Sequence, residues 1–392
     1  MKVLSKVLKV QGIILLILVV IAGIIYFTML RYPNLKNNPT IDKWYRIETS
    51  EMKSSEGGAY HALIKKGSQN KVMVYFAGGG VSINEDTAKY DTYNTKLVQP
   101  DALANLTMNM GGLASTGDSI PFNDWTIILF PYATGDFHAG AGEYKYTDLD
   151  GKEKTLYHNG YINFKSAMDE ALRLAGIKDA ESVLVTGYSA GGWGASILAN
   201  DVFKNYFPNA QSKTVLVDSS VALYDDWYDV ATNVWNVPKH ISNRIKTNNL
   251  TLDNLIALYE DFGDEVNILF NCSTRDGDLA KVQRYFNDLI IDSDGEMPVD
   301  ESDGDKFQVI LKEFVTQLKE QTNANVFIYD GFAWYDNPIN LTSHTIISTP
   351  YVWQKLNDTD KSIAEWLIDA IDGNKNDYGM ELLDKTYESK VK

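Results

Sequence analysis

The sequence predicts an α/β fold: a mostly parallel sheet flanked by helices, preceded by one transmembrane helix. Three observations carry this. Short apolar, β-branched runs recur along the chain with helix-like stretches between several of them. Strands alternating with helices give a parallel sheet covered by helices. One run, Val183-Leu184-Val185-Thr186, leads straight into Gly187-Tyr188-Ser189-Ala190-Gly191 and then a helix-forming stretch. Lastly, an uncharged apolar segment stands ahead of everything else.

That segment is the first element. Lys2, Lys6 and Lys9 precede an uncharged run over residues 12–30, and Arg31 closes it. Nineteen residues at 1.5 Å rise span about 29 Å, enough to cross a bilayer core. Three lysines before the run and one arginine after it place the N-terminus in the cytoplasm and the rest outside. The expectation is a single-pass cell-membrane anchor over residues 1–31 with an extracellular body. The alternative is a cleaved signal peptide and a secreted protein. Signal peptides have a shorter apolar core and a small-x-small cleavage site, and none stands out here.

Residues 32–42 read as a polar tether, 43–375 as the catalytic domain and 376–392 as a C-terminal tail. Strand-like runs follow at 71–76, 125–130, 182–186, 214–217, 266–271 and 325–329. Helix-like stretches lie at 161–174, 192–203, 281–291, 307–321 and 362–371. Residues 136–159 look like an insertion with an Asp150-Gly151 turn, and 219–265 like an aromatic one. The acidic segment 292–305 reads as a solvated loop, since its Asp-Ser-Asp-Gly start lacks EF-hand spacing.

Charge and cysteine content narrow the function. Taking Lys2, Lys6, Lys9 and Arg31 from the 36 basic residues leaves 32 against 52 acidic ones, a net of −20. That excludes nucleic acid as a partner, which needs a basic surface. The single cysteine, Cys272, lies in an apolar run and permits no intrachain disulfide. No pair of histidines has metal-ligand spacing. No metal, cofactor or obligate protein partner is expected.

The Gly-x-Ser-x-Gly run has the layout of a nucleophile elbow. A serine hydroxyl is a weak nucleophile and must be presented in the open beside a base. A sharp strand-to-helix turn does this, with glycines where a Cβ would clash. Ser189 then sits at a helix N-terminus, where amide N–H groups favour developing negative charge. The alternative is a tight turn with a buried serine.

A hydrolase serine needs a base and an acid to orient it. The chain has five histidines: His61, His138, His158, His240 and His344. With the order serine, acid, histidine, only His240 and His344 qualify. His344 follows the last strand-like run and is the expected base; His240 lies in the aromatic insertion. The acid is expected after run 266–271. Asp276 is placed on the turn itself, while Asp278 precedes a helix and reads as its N-cap. Asp218, one strand earlier, is a third candidate. An oxyanion hole needs two backbone N–H groups: one from Ala190, the other from the loop Gly78-Gly79-Gly80, at Gly79 or Gly80. Trp193, beside the elbow, and Trp227, Tyr228 and Trp235 in the insertion are candidates for the substrate pocket.

Five motifs occur in order: Phe76-Ala77-Gly78-Gly79-Gly80, Pro131-Tyr132-Ala133-Thr134-Gly135-Asp136-Phe137-His138-Ala139-Gly140, His158-Asn159-Gly160-Tyr161-Ile162-Asn163-Phe164, the elbow, and Ser343-His344-Thr345. Together they resemble the pectin acetylesterase/Notum family of α/β-hydrolase-like serine esterases, in its bacterial-type branch. The resemblance implies an α/β-hydrolase-like fold and an early oxyanion loop. It also implies Ser189 as nucleophile, His344 as base, the acid within 274–278, and His138 near the pocket. The expected function is a membrane-anchored extracellular serine esterase. Its substrate is an acylated glycan or small ester, with O-acetyl groups on a polysaccharide as the implied target. The alternatives are an acyltransferase of the same fold and a non-catalytic surface binding protein.

Overall fold

Among the described residues, eight strands form one sheet in the order β1-β2-β4-β3-β7-β8-β9-β10. They are β1 (Trp44–Ile47), β2 (Ala62–Lys65), β3 (Lys71–Phe76), β4 (Thr126–Phe130), β7 (Ser182–Tyr188), β8 (Ser212–Asp218), β9 (Val266–Ser273) and β10 (Asn325–Tyr329). The hairpin β5 (Gly142–Thr147) and β6 (Glu153–His158) stands apart. Within the eight-stranded sheet β1 and β2 are antiparallel to their neighbours, and all other pairs are parallel. The computed structural model describes residues 2–26, 30–117, 119–331, 339–357 and 359–389, with side chains from Gln11 onward.

The chain lays down β3, moves outward to β4, then returns to the other side of β3 with β7. β8, β9 and β10 follow outward in turn. The direction reverses between β3 and β7, so the loops leaving their carboxyl ends part and leave a crevice. The sheet is buried on both faces. Val72, Val74 and Phe76 of β3 join one core, and Met73 and Tyr75 the other. Parallel strands covered on both sides need apolar residues at every position, which is why they read as unbroken runs.

The first core takes the apolar sides of Gly160–Ala175, Ala190–Asp201, Leu250–Phe262, Gly277–Asp288 and Glu301–Gln321. Phe164, Ala167, Met168, Ala171 and Ala175 show the spacing that buries one helix stripe. The second core is closed by Ile363–Ile371 with Trp366 and Leu367, and by Phe122 and Trp125.

Several elements begin earlier than the periodicity predicts, because caps set their starts. Asp276 caps Gly277–Asp288. An Asp300/Asp303 capping box opens Glu301–Gln321 inside the acidic segment expected as a loop. The insertion 219–265 holds the helix Leu250–Phe262, capped by Asn249.

The expected transmembrane helix is not found: among the described residues, no helix is long and apolar enough to cross a membrane. Among the described residues the N-terminal helix runs Lys2–Ile25. Residues 27–29 of the expected span lie outside the described residues. Ile13 to Ile25 nonetheless leave large apolar side chains exposed. The body picks up at Tyr32, whose N–H donates to Asp101 Oδ2 at 2.9 Å.

Candidate active site

Ser189 stands between β7 and the helix Ala190–Asp201, at φ +53 and ψ −129. A non-glycine residue there is strained and persists only where its surroundings hold it. The close approach behind it depends on missing side chains. A Cβ on Gly191 would come to 2.1 Å from the Phe76 carbonyl oxygen, and one on Gly78 to 2.7 Å from the Ser189 Cβ. The Gly78-Gly79-Gly80 loop leaves β3, so loop and serine sit side by side at the crevice. Gly79 and Gly80 have φ +157 and +81, which glycine adopts without steric cost. Ala190 opens the helix, where first-turn amides lack an intrahelical acceptor.

His344 meets Asp276. Its Nδ1–H donates to Asp276 Oδ2 at 2.8 Å, with Oδ1 at 2.9 Å. The pairing is built by the backbone: Thr342 N–H donates to the Arg275 carbonyl and Gly277 N–H to the Thr342 carbonyl. Asp276 is fully buried, and its Oδ1 also accepts from the N–H groups of Asp278 and Leu279. One carboxylate thus caps a helix and orients an imidazole. Burial alone would lower the His344 pKa. The Asp276 charge and hydrogen bond, with Asp278 and Asp218 behind them, overcome this and raise it to about 9. Burial pushes the Asp276 carboxyl up, an effect that His344 offsets only in part.

The other two acid candidates do different work. Asp278 is exposed, and it is not the cap that its position predicts. β9 runs on to Ser273, which leaves only Thr274 and Arg275 before Asp276 and gives that residue the capping position. Asp218 is buried and accepts from the N–H groups of Ile346 (2.7 Å) and Ile347 (2.9 Å). Burial raises its pKa to about 6 against these bonds.

Ser189, Ala190, Gly79, Gly80, Trp193 and His344 all line one cavity of about 770 Å³. Four of the expected pocket residues do not: His138, Trp227, Trp235 and Tyr228, the last of which is exposed away from the cavity. His138 is buried behind the glycine loop, its ring against Phe76 and Tyr132. Its Nε2–H donates to the Ala77 carbonyl at 2.9 Å, and burial lowers its pKa to about 4. Trp227 is fully buried among Phe137, Trp235 and Phe286. Both support the wall from behind, as does Trp235, whose Nε1–H donates to the Ser82 carbonyl. Tyr90, Tyr188 and Phe137, which stacks on Trp193 at 4.6 Å, are the aromatic surfaces the sequence did not single out. Asp294, Glu296 and Met297, from the segment expected only as a solvated loop, complete the rim. The remaining histidines are engaged elsewhere: His61 with Asp101, His158 with the Thr134 carbonyl, and His240 with Asp201.

Comparison with known proteins agrees with this architecture. No curated protein matches the chain. Among solved structures, the fold is similar to that of the Wnt deacylase Notum from Drosophila. The TM-score is 0.57 at 13% identity, with 86% of this chain and 92% of that one covered. The pectinacetylesterase family model matches residues 54–249. The matched stretch contains the glycine loop, the Gly-Asp-x-His motif and the elbow, while Asp276 and His344 lie beyond it. With half of its length matched, the chain belongs to the pectinacetylesterase family.

Proposed function

We propose that the protein is a serine esterase that removes O-acyl groups, O-acetyl above all, from glycans. One observation carries the reading: Ser189, the glycine loop and an Asp276-bonded His344 line the same cavity. In this mechanism Ser189 Oγ attacks the ester carbonyl carbon while its proton passes to His344 Nε2. Negative charge on the carbonyl oxygen is met by the N–H groups of Ala190 and of Gly79 or Gly80. The tetrahedral intermediate collapses, the alcohol leaves with the proton from Nε2, and an acyl-serine remains. Water, deprotonated by the same nitrogen, attacks that ester; Nε2 then returns the proton to Ser189 Oγ as the acyl–oxygen bond breaks and the carboxylic acid leaves. Asp276 keeps Nδ1 protonated, so that Nε2 is free to accept.

The rim bears on the substrate. Lys89 is paired with Asp86 and Lys281 with Glu296. Asp91, Asp278 and Asp294 are exposed carboxylates around the same opening. A polyanionic chain would be repelled there. We therefore favour a neutral or cationic glycan over a polyuronate. We further propose that the body is exported and tethered through residues 1–31. The support for this is the lysine cluster and the uncharged run, together with the exposed apolar side chains of the N-terminal helix.

The test is an ester panel from acetyl to palmitoyl, run on the full-length chain with acetylated neutral and anionic glycans beside it. Acetate release from neutral glycans is expected. Turnover that requires an alcohol acceptor would make the protein an acyltransferase. Binding without turnover would leave it a surface receptor.

A further inference from the structure

We propose that the turn Asp218-Ser219-Ser220 is a positioning clamp, holding the Ser189 turn and the His344 loop in register from the end of β8. This deepens the hydrolase reading and rests on it for the roles of Ser189 and His344. β8 lies between β7, which presents Ser189, and β9, which leads to Asp276. The Asp218 side chain faces one half of the site. Oδ2 takes the N–H groups of Ile346 and Ile347, just past His344 and Thr345. Oδ1 takes Asn271 Nδ2 at 2.7 Å and Ser219 Oγ at 3.0 Å.

The backbone and Ser220 face the other half. Ser189 N–H donates to the Asp218 carbonyl at 2.9 Å, and Ser220 Oγ donates to the Ser189 carbonyl at 2.7 Å. Both backbone polar groups of Ser189 are therefore engaged by this turn. Ser189, Ser219 and Thr345 have φ of +53, +52 and +56. Three strained residues in one bonded unit are what a clamp of this kind has to over-determine.

Asp218 also adds its charge to those of Asp276 and Asp278 at His344. The other titratable groups facing Asp218 are Tyr75 of β3, Tyr188 of β7, Cys272 of β9 and Tyr329 of β10. Burial pushes all four upward, so they stay neutral near pH 7. That leaves His344 as the group whose titration reports on the Asp218 charge.

Two substitutions separate charge from position. Asp218→Asn keeps an oxygen for Ile346 and Ile347. Its new amide can meet Asn271 Oδ1, which has no partner among the described residues, once that side chain turns over. Asp218→Ala leaves both N–H groups without an acceptor. The measurements are kcat, KM and the His344 titration followed by imidazole NMR. Asp218→Asn should lower the His344 pKa and cost no more than about tenfold in kcat. Asp218→Ala should lower kcat by roughly 100-fold with KM within about threefold, the size of effect that follows from ångström-scale misplacement. Ser220→Ala should lower kcat and leave the titration in place. The clamp is overturned if a folded Asp218→Ala, or Ser220→Ala, keeps kcat within about threefold of wild type. If Asp218→Ala does not fold, Ser220→Ala decides, since it removes the bond to the Ser189 carbonyl alone. If the wild type cleaves no ester, the hydrolase reading fails, and the clamp is tested by the Nδ1–H NMR signal of the His344–Asp276 bond, which Asp218→Asn should keep and a folded Asp218→Ala should lose; its survival in Asp218→Ala would overturn the clamp.

Discussion

Replacing Asp276 by Asn removes one charge and little else. Asn caps helices as well as Asp, so the helix Gly277–Asp288 keeps its start. What changes is the partner of His344 Nδ1, now an amide that donates as readily as it accepts. The imidazole loses its fixed tautomer, and kcat should fall by about 10³ to 10⁴. The pH dependence changes too. A base must be neutral to act, so wild-type kcat/KM should rise with pH and inflect toward about 9, well above an ordinary histidine. In Asp276→Asn that inflection moves to lower pH. Stability follows with a definite sign. A histidine whose folded pKa is raised stabilises the fold fully below its unfolded value near 6.5. That contribution is lost as pH climbs to about 9. At about 1.4 kcal/mol per unit the interval is worth about 3 kcal/mol. This is an upper figure, because burying the Asp276 carboxyl takes part of it back. The assay is a pH–rate profile with thermal midpoints at pH 6 and 9, run beside Asp278→Asn. Asp278 makes no hydrogen bond to His344 and should cost about twofold at most. An Asp276→Asn enzyme within about tenfold of wild type, with its inflection unmoved, would refute the reasoning.

Three further outcomes follow from the same geometry. Gly191→Ala drives a Cβ into the Phe76 backbone and should lower stability by roughly 3 kcal/mol or more; an unchanged thermal midpoint would contradict the close approach of β3 to the elbow. Asn at Asp91, Asp278 and Asp294 together should raise kcat/KM for a carboxylate-bearing ester about tenfold relative to its neutral isostere at low salt, and high salt should close the gap; no change in the ratio would remove the rim as a charge filter. Protease treatment of intact cells should strip the body and leave the N-terminal segment behind, whereas a mature protein free in the medium and starting near residue 30 would mean signal cleavage.

Much of the architecture was legible because the signals are local. The runs at β3 and β10 coincide with their strands, since burial on both faces leaves no polar interruptions. The family was legible because its motifs are short, glycine-rich and in order from Phe76 to Gly192. β1 and β2, at four residues each, are too short to carry a period. The wall of the cavity was least legible. Whether Trp227 faces a substrate or the core is decided by Phe137, Trp235 and Phe286, which come from separate segments. Asp276 and Asp278 were hard to tell apart for a similar reason. The Asp276 carboxylate serves a cap and an imidazole at once, and only the fold brings His344 to it.

The most direct measurement of the central claim is fluorophosphonate labelling of the full-length chain, with the adduct located by peptide mass spectrometry. The account predicts one adduct, on Ser189, absent in Ser189→Ala and formed far more slowly in His344→Ala. Ester hydrolysis in Ser189→Ala above about a tenth of the wild-type kcat, or an adduct on another serine, would contradict it.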